Sequence, residues 1–148
     1  MKISGSRLLA LDQEQCYRAL QDPSVLERCM PGCRSLVQVA EDTYAMKMKM
    51  ALASISGLFD GKVRIADRNF PHSFRLLVEG SGRIGFLKGD GLLQLTPQNG
   101  GTSVGYEGEV RVGGTISAVG QRLLDTTSKM MIKRFFDKLA ESLASPRQ

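Results

Sequence analysis

The chain predicts an α+β fold in which a curved, seven-stranded antiparallel sheet closes around a long C-terminal helix, with two short helices after the first strand. Three observations carry this expectation. Between Ile116 and Leu143 the apolar residues Ile116, Val119, Leu123, Leu124, Met130, Met131, Phe135, Leu139 and Leu143 recur mostly at steps of three and four, which is one face of a helix. From Arg34 to Val112 apolar and charged residues alternate with a period of two, as half-buried strands do. Two helix-capping signals, Asp12 and Asp22-Pro23, stand close together before that region. A helix of roughly 42 Å, at ~1.5 Å per residue, needs a broad sheet to receive its apolar face. The 148 residues suit a single domain spanning residues 1–148.

In chain order, Lys2 to Ala10 reads as the first strand. Asp12 caps a short helix over Gln13 to Leu20, and Asp22 followed by Pro23 opens a second through about Arg28, which Met30-Pro31-Gly32-Cys33 stops. Six strands follow. Their breaks are expected at Glu41-Asp42, around Ser54 to Gly57, at Asn69-Phe70-Pro71-His72, at Gly80-Ser81-Gly82 and at Gln98-Asn99-Gly100-Gly101, the last holding a strong hairpin signal. The long helix begins at Ile116, after Val112-Gly113-Gly114-Thr115.

Bulk properties narrow the function classes. No stretch approaches the ~18 uninterrupted apolar residues of a membrane span, and the N-terminal residues show no signal-peptide core, so a cytoplasmic location is the expectation. Cys16, Cys29 and Cys33 are an odd number of thiols without zinc-ligand spacing, expected to be reduced and inert. The formal charge of +5 is concentrated at the end: Val112 to Gln148 holds six Lys or Arg against three acids. No basic run is interleaved with aromatics and Trp is absent, which argues against nucleic acid. A solvated helix face, an anionic membrane surface or an acidic partner remain readings of this charge.

The alternation assigns the inner face. Tyr44, Met46, Met48 and Met50 share one side, with Lys47 and Lys49 on the other; Phe59, Gly61, Val63 and Ile65 do the same in the next strand. Leu87, Gly89, Gly91, Leu93 and Leu95, then Val104, Tyr106, Gly108, Val110 and Val112, repeat the pattern. Inward glycines and consecutive methionines imply either an internal apolar cavity with adaptable walls or a strongly bent sheet whose gaps the methionines fill.

Catalytic devices are sparse. His72, the sole histidine, follows a proline in an expected turn, and the inner faces carry almost no carboxylates. Gly80-x-Gly82-x-x-Gly85 matches a dinucleotide fingerprint formally but lies between antiparallel strands and opens no helix. Tyr44, Tyr106 and Lys88 are the polar groups an enzyme acting on an aromatic or polyketide substrate could recruit.

The combined motifs resemble the carbon monoxide dehydrogenase G-subunit (CoxG) family, within the START and Bet v 1-like superfamily of polyketide cyclases and lipid-transfer proteins. The carriers are Asp22-Pro23 with Met30-Pro31-Gly32-Cys33, Gly57-Leu58-Phe59-Asp60-Gly61-Lys62-Val63, and Gly80-Ser81-Gly82 followed by Gly85-Phe86-Leu87-Lys88-Gly89. Val112-Gly113-Gly114 leading into Gly120-Gln121-Arg122-Leu123-Leu124-Asp125 completes them. The resemblance implies a helix-grip fold, a hydrophobic ligand tunnel, no shared enzymatic activity and no cofactor. It also implies service to a molybdenum hydroxylase complex, by recruitment to the inner face of the cytoplasmic membrane or by supply of a quinone or lipid-like molecule. Some members carry a hydrophobic tail, whereas this chain reaches only Ser145-Pro146-Arg147-Gln148 past the helix, so peripheral contact is expected. A cyclase or hydrolase using the same pocket, and a pure protein-interaction module, are the alternative expectations. The residues expected to line the pocket are Met30, Tyr44, Met46, Met48, Met50, Phe59, Phe74, Phe86, Tyr106, Leu123, Met130 and Phe135; none is assigned to catalysis or metal binding.

Overall fold

The computed structural model describes residues 1–52 and 55–144. Strand β1 (Lys2–Leu9) is followed by helices α1 (Gln13–Ala19) and α2 (Pro23–Cys29), then by strands β2 (Cys33–Ala40), β3 (Thr43–Leu52), β4 (Ile55–Asn69), β5 (Ser73–Gly82), β6 (Gly85–Gln98) and β7 (Gly101–Gly113). A 3-10 turn over Thr115–Val119 precedes helix α3 (Gln121–Ala144).

The seven strands form one antiparallel sheet in the order β1-β7-β6-β5-β4-β3-β2. Six of them meander by hairpins, and β1 pairs with β7 at the far edge. Helices α1 and α2 therefore connect opposite edges of the sheet, crossing one end of its inner face. Their caps are those the sequence predicts: Asp12 accepts from the Gln15 amide at 2.8 Å and Asp22 from the Ser24 amide at 2.9 Å. At the other end of the hairpin ladder, Asn99 and Gly100 adopt positive φ of 48° and 79°, the mirror-image turn that suits a twisted two-residue hairpin.

Three boundaries differ from the sequence expectation. The long helix starts at Gln121, not Ile116, because Gly120 takes φ 94° and breaks the run; Ile116 and Val119 belong to the preceding 3-10 turn. Strand β5 continues through Gly80-Ser81-Gly82, and the chain reverses at Arg83-Ile84 instead. A side chain at Gly82 would collide with the Leu58 carbonyl oxygen, so this glycine serves close strand packing within the sheet. Strand β4 begins at Ile55, so most of the break expected from Ser54 to Gly57 is strand, while Ser54 itself, the Leu143 side chain and Ser145 to Gln148 lie outside the described residues.

The core divides along the length of α3. Near α1 and α2, Tyr17, Leu20, Tyr44, Phe74, Leu95, Val104, Phe135, Phe136 and Leu139 pack into one dense cluster. At the other end Leu52, Phe59, Ile116 and Leu124 form a second cluster, and Met46, Met48 and Val63 a third between them. Polar ties hold the helix in place: Arg7 of β1 meets Asp137 at 2.7 Å, and Arg28 of α2 donates to the Ser142 hydroxyl at 3.0 Å. Lys133 and Arg7 together hold the Asp137 carboxyl below its ordinary range.

Candidate ligand-binding cavity

Between α3 and the sheet, the middle of the molecule is not filled. A cavity of about 240 Å³ lies there, walled on the sheet side by Met46, Met48 and Met50 of β3, Phe59, Gly61 and Val63 of β4, Leu76, Val78 and Gly80 of β5, and Leu87, Val110 and Val112 beyond. Met1, Leu26, Met30, Cys33, Leu36, Leu52 and Ile116 complete the surround. The helix contributes Leu124, Thr127, Ser128 and Met131, spaced so that all four lie on one face. Apart from the Thr127 and Ser128 hydroxyls and the Cys33 thiol, every lining side chain among the described residues is apolar. A space of this kind, apolar with few polar groups, is the usual form of a small-molecule site.

The inner glycines serve both of the purposes the sequence left open. A methyl group at Gly61 would collide with the Glu79 carbonyl oxygen and stand 3.1 Å from the Gly80 Cα, so Gly61 permits close strand approach. At Gly80 the nearest atoms are the Asp60 oxygen at 3.6 Å and the Phe59 ring at 3.7 Å, so its missing side chain leaves space in the cavity wall.

The twelve residues expected to line a pocket divide into three groups. Met30, Met46, Met48, Met50 and Phe59 come together around the cavity. Tyr44, Phe74, Tyr106 and Phe135 face inward but sit in or against the dense cluster, where Phe74 meets Tyr17 edge-on at 5.4 Å and Tyr106 stacks on Phe136 at 5.8 Å. Leu123 packs against the cluster at the opposite end while its neighbour Leu124 borders the cavity. Phe86 and Met130 differ from expectation outright. Phe86 is 51% exposed because Gly85, at φ 132°, shifts the alternation so that Leu87 points inward. Met130 is 41% exposed and Met131 takes the inner position. None of Tyr44, Tyr106 and Lys88 lines the cavity, so the polar pair that a pocket enzyme would need does not converge there.

Thr127 and Ser128 escape a stripe drawn from apolar residues alone. Their signal in the sequence is the gap itself: the stripe jumps from Leu124 to Met130, and hydroxyl residues occupy the intervening inward positions.

Burial raises all three thiols above their ordinary range, Cys16 to about 11, with Asp12 adding to the effect there. For Cys33 burial comes first and Glu27 second, against a hydrogen bond to the Ser35 carbonyl oxygen that lowers it. Since the thiolate is the nucleophile, alkylation of Cys33 by an apolar maleimide should be slow at neutral pH and accelerate as pH rises. A guest in the cavity should slow it, while Cys16 stays unmodified in the folded protein. Peptide mapping by mass spectrometry reads this, and faster labelling of Cys16 than of Cys33 would contradict it.

Among the described residues no helix is long and apolar enough to cross a membrane, and no group of three His, Cys, Asp or Glu side chains is placed to hold a metal ion.

Comparison with known proteins agrees with the architecture. The family described as the carbon monoxide dehydrogenase G subunit (CoxG) matches residues 5–144. The crystal structure of a conserved protein from Geobacillus kaustophilus is 34% identical, with 97% of this chain and 95% of that chain covered at a TM-score of 0.93. A protein from Chromobacterium violaceum shares the fold at 18% identity and TM-score 0.71, with 99% of each chain covered. So does the di-domain ARO/CYC BexL from the BE-7585A biosynthetic pathway, at 9% identity and TM-score 0.66, covering 99% of this chain and 51% of that one. No curated protein shows significant similarity.

Proposed function

The chain belongs to the carbon monoxide dehydrogenase CoxG family, and from that premise we propose that it is a non-catalytic accessory protein that carries an apolar small molecule between α3 and the sheet. The observation that carries this reading is the cavity of about 240 Å³ with its methionine-rich, nearly uninterrupted apolar wall. The guest class that fits is quinone or lipid-like, and the family context makes a molybdenum hydroxylase the enzyme served. Recruitment to the inner face of the cytoplasmic membrane would be peripheral, with basic residues of α3 such as Lys129 and Arg134 meeting anionic lipid.

Native mass spectrometry and organic extraction of protein purified from its own cells test the carrier role. An apolar guest should be recovered at a stoichiometry near one; protein that is guest-free and rejects added apolar molecules would refute it. The service role is tested separately, by pull-down of molybdenum hydroxylase subunits from the same cells. Capture that is lost in Lys129→Glu/Arg134→Glu supports recruitment through the helix, and absence of those subunits from the wild-type eluate counts against it.

A further inference from the structure

The helix wall of the cavity holds two hydroxyls that packing does not require. Leu124, Thr127, Ser128 and Met131 form the stripe of α3 that faces the cavity, and polar residues take the two central positions. A threonine or serine inside a helix commonly turns its hydroxyl back to the carbonyl four residues earlier, as Thr126 does to the Arg122 oxygen at 3.0 Å. Among the described residues the Thr127 and Ser128 hydroxyls have no hydrogen-bond partner, and neither is an isolated, fully buried polar group. They border open space opposite the methionine wall of β3.

Charge narrows the chemistry further. No charged side chain lines the cavity among the described residues, and the Met1 ammonium beside it is engaged by the Val110 carbonyl oxygen at 2.9 Å. An ionised carboxylate or phosphate placed there would lose its water without gaining a cationic side chain, which is strongly unfavourable. A neutral carbonyl or hydroxyl oxygen needs only a hydrogen-bond donor, and a hydroxyl supplies one.

We propose that Thr127 and Ser128 are specificity-determining residues that hydrogen-bond a neutral oxygen of the guest, so that the cavity selects uncharged apolar molecules bearing a carbonyl or hydroxyl over ionised acids. This rests on the carrier reading above. The methionines and Phe59 take the hydrocarbon body, and the hydroxyl pair fixes which end of the guest faces the helix.

Three probes of one ring system separate the two ideas: ethylnaphthalene, acetylnaphthalene and naphthoate, each measured at neutral pH by equilibrium dialysis against wild type and Thr127→Val/Ser128→Ala. The double variant should weaken acetylnaphthalene roughly tenfold, the effect of one or two net hydrogen bonds. Ethylnaphthalene should bind it as tightly as wild type or more so, which also shows that the variant is folded and its cavity intact. Naphthoate should bind wild type at least about tenfold more weakly than acetylnaphthalene. Ethylnaphthalene binding with acetylnaphthalene indifferent to the substitutions, or naphthoate bound as tightly as the ketone, overturns the hydroxyl proposal alone. Failure of all three probes to bind wild type overturns the carrier reading and this proposal together. Single Ser128→Ala, with a smaller loss for the ketone only, serves if the double variant misfolds.

Discussion

Gly80→Val should weaken binding of an apolar guest about 10- to 100-fold, because the new side chain occupies volume whose burial is worth about 1.5–3 kcal/mol to the guest. The substitution should leave the fold intact. The nearest atoms to a Cβ at this position stand at 3.6 and 3.7 Å, which is ordinary contact. Valine also suits a strand interior better than glycine by about 0.5–1 kcal/mol, so thermal unfolding should move up or stay level while affinity collapses. Gly61→Val is the matched contrast. It lies one strand away, opposite Gly80 in the register, but its side chain would collide with the Glu79 carbonyl oxygen, so stability should fall by about 1–3 kcal/mol. Parallel denaturant titrations and ethylnaphthalene binding on both variants check the pair. Equal behaviour of the two would mean that Gly80 leaves no usable space.

Phe74→Ala should cost about 3–5 kcal/mol of stability, a large share of the ~5–15 kcal/mol typical of such a protein. Phe74 is fully buried in the dense cluster that joins α1, the sheet and the C-terminal half of α3, and its ring meets Tyr17 edge-on. This cluster is the part of the interior that must be solid, since the cavity leaves the middle of α3 with less packing. Urea or guanidinium unfolding measures the loss, and a cost below about 1 kcal/mol would show that the site collapses around the missing ring. The same truncation at Met48, on the cavity wall, should cost less, because part of its surroundings is already empty.

The architecture was legible because each of its elements is written in a local period or cap. Period two in Tyr44, Met46, Met48 and Met50 fixes which side of β3 faces the helix, and Asp12 and Asp22 fix where α1 and α2 start. Which inward residue meets the cavity was much less legible. Alternation tells the face of a strand but not the depth along it: Tyr44 and Met50 share a face, yet Tyr44 belongs to the solid cluster and Met50 borders the space. On the helix, neighbouring pairs Leu123/Leu124 and Met130/Met131 are both apolar, so a stripe drawn by steps of three and four cannot choose within them. Glycine compounds the ambiguity. Gly85 and Gly120 sit at positive φ and reset the phase of the residues after them, which is why Phe86 turns outward and the helix starts late.

The central claim is that an apolar guest enters the space under α3, and the methionines report on it directly. Of the seven, Met1, Met30, Met46, Met48, Met50 and Met131 line the cavity, whereas Met130 is exposed on the other side of the helix stripe. Methyl-labelled methionine NMR during titration with acetylnaphthalene should therefore shift the signals of the lining residues, Met46, Met48 and Met131 most, and leave Met130 in place. Movement of Met130 alone, or saturating additions that move none of the lining methyls, would contradict the account.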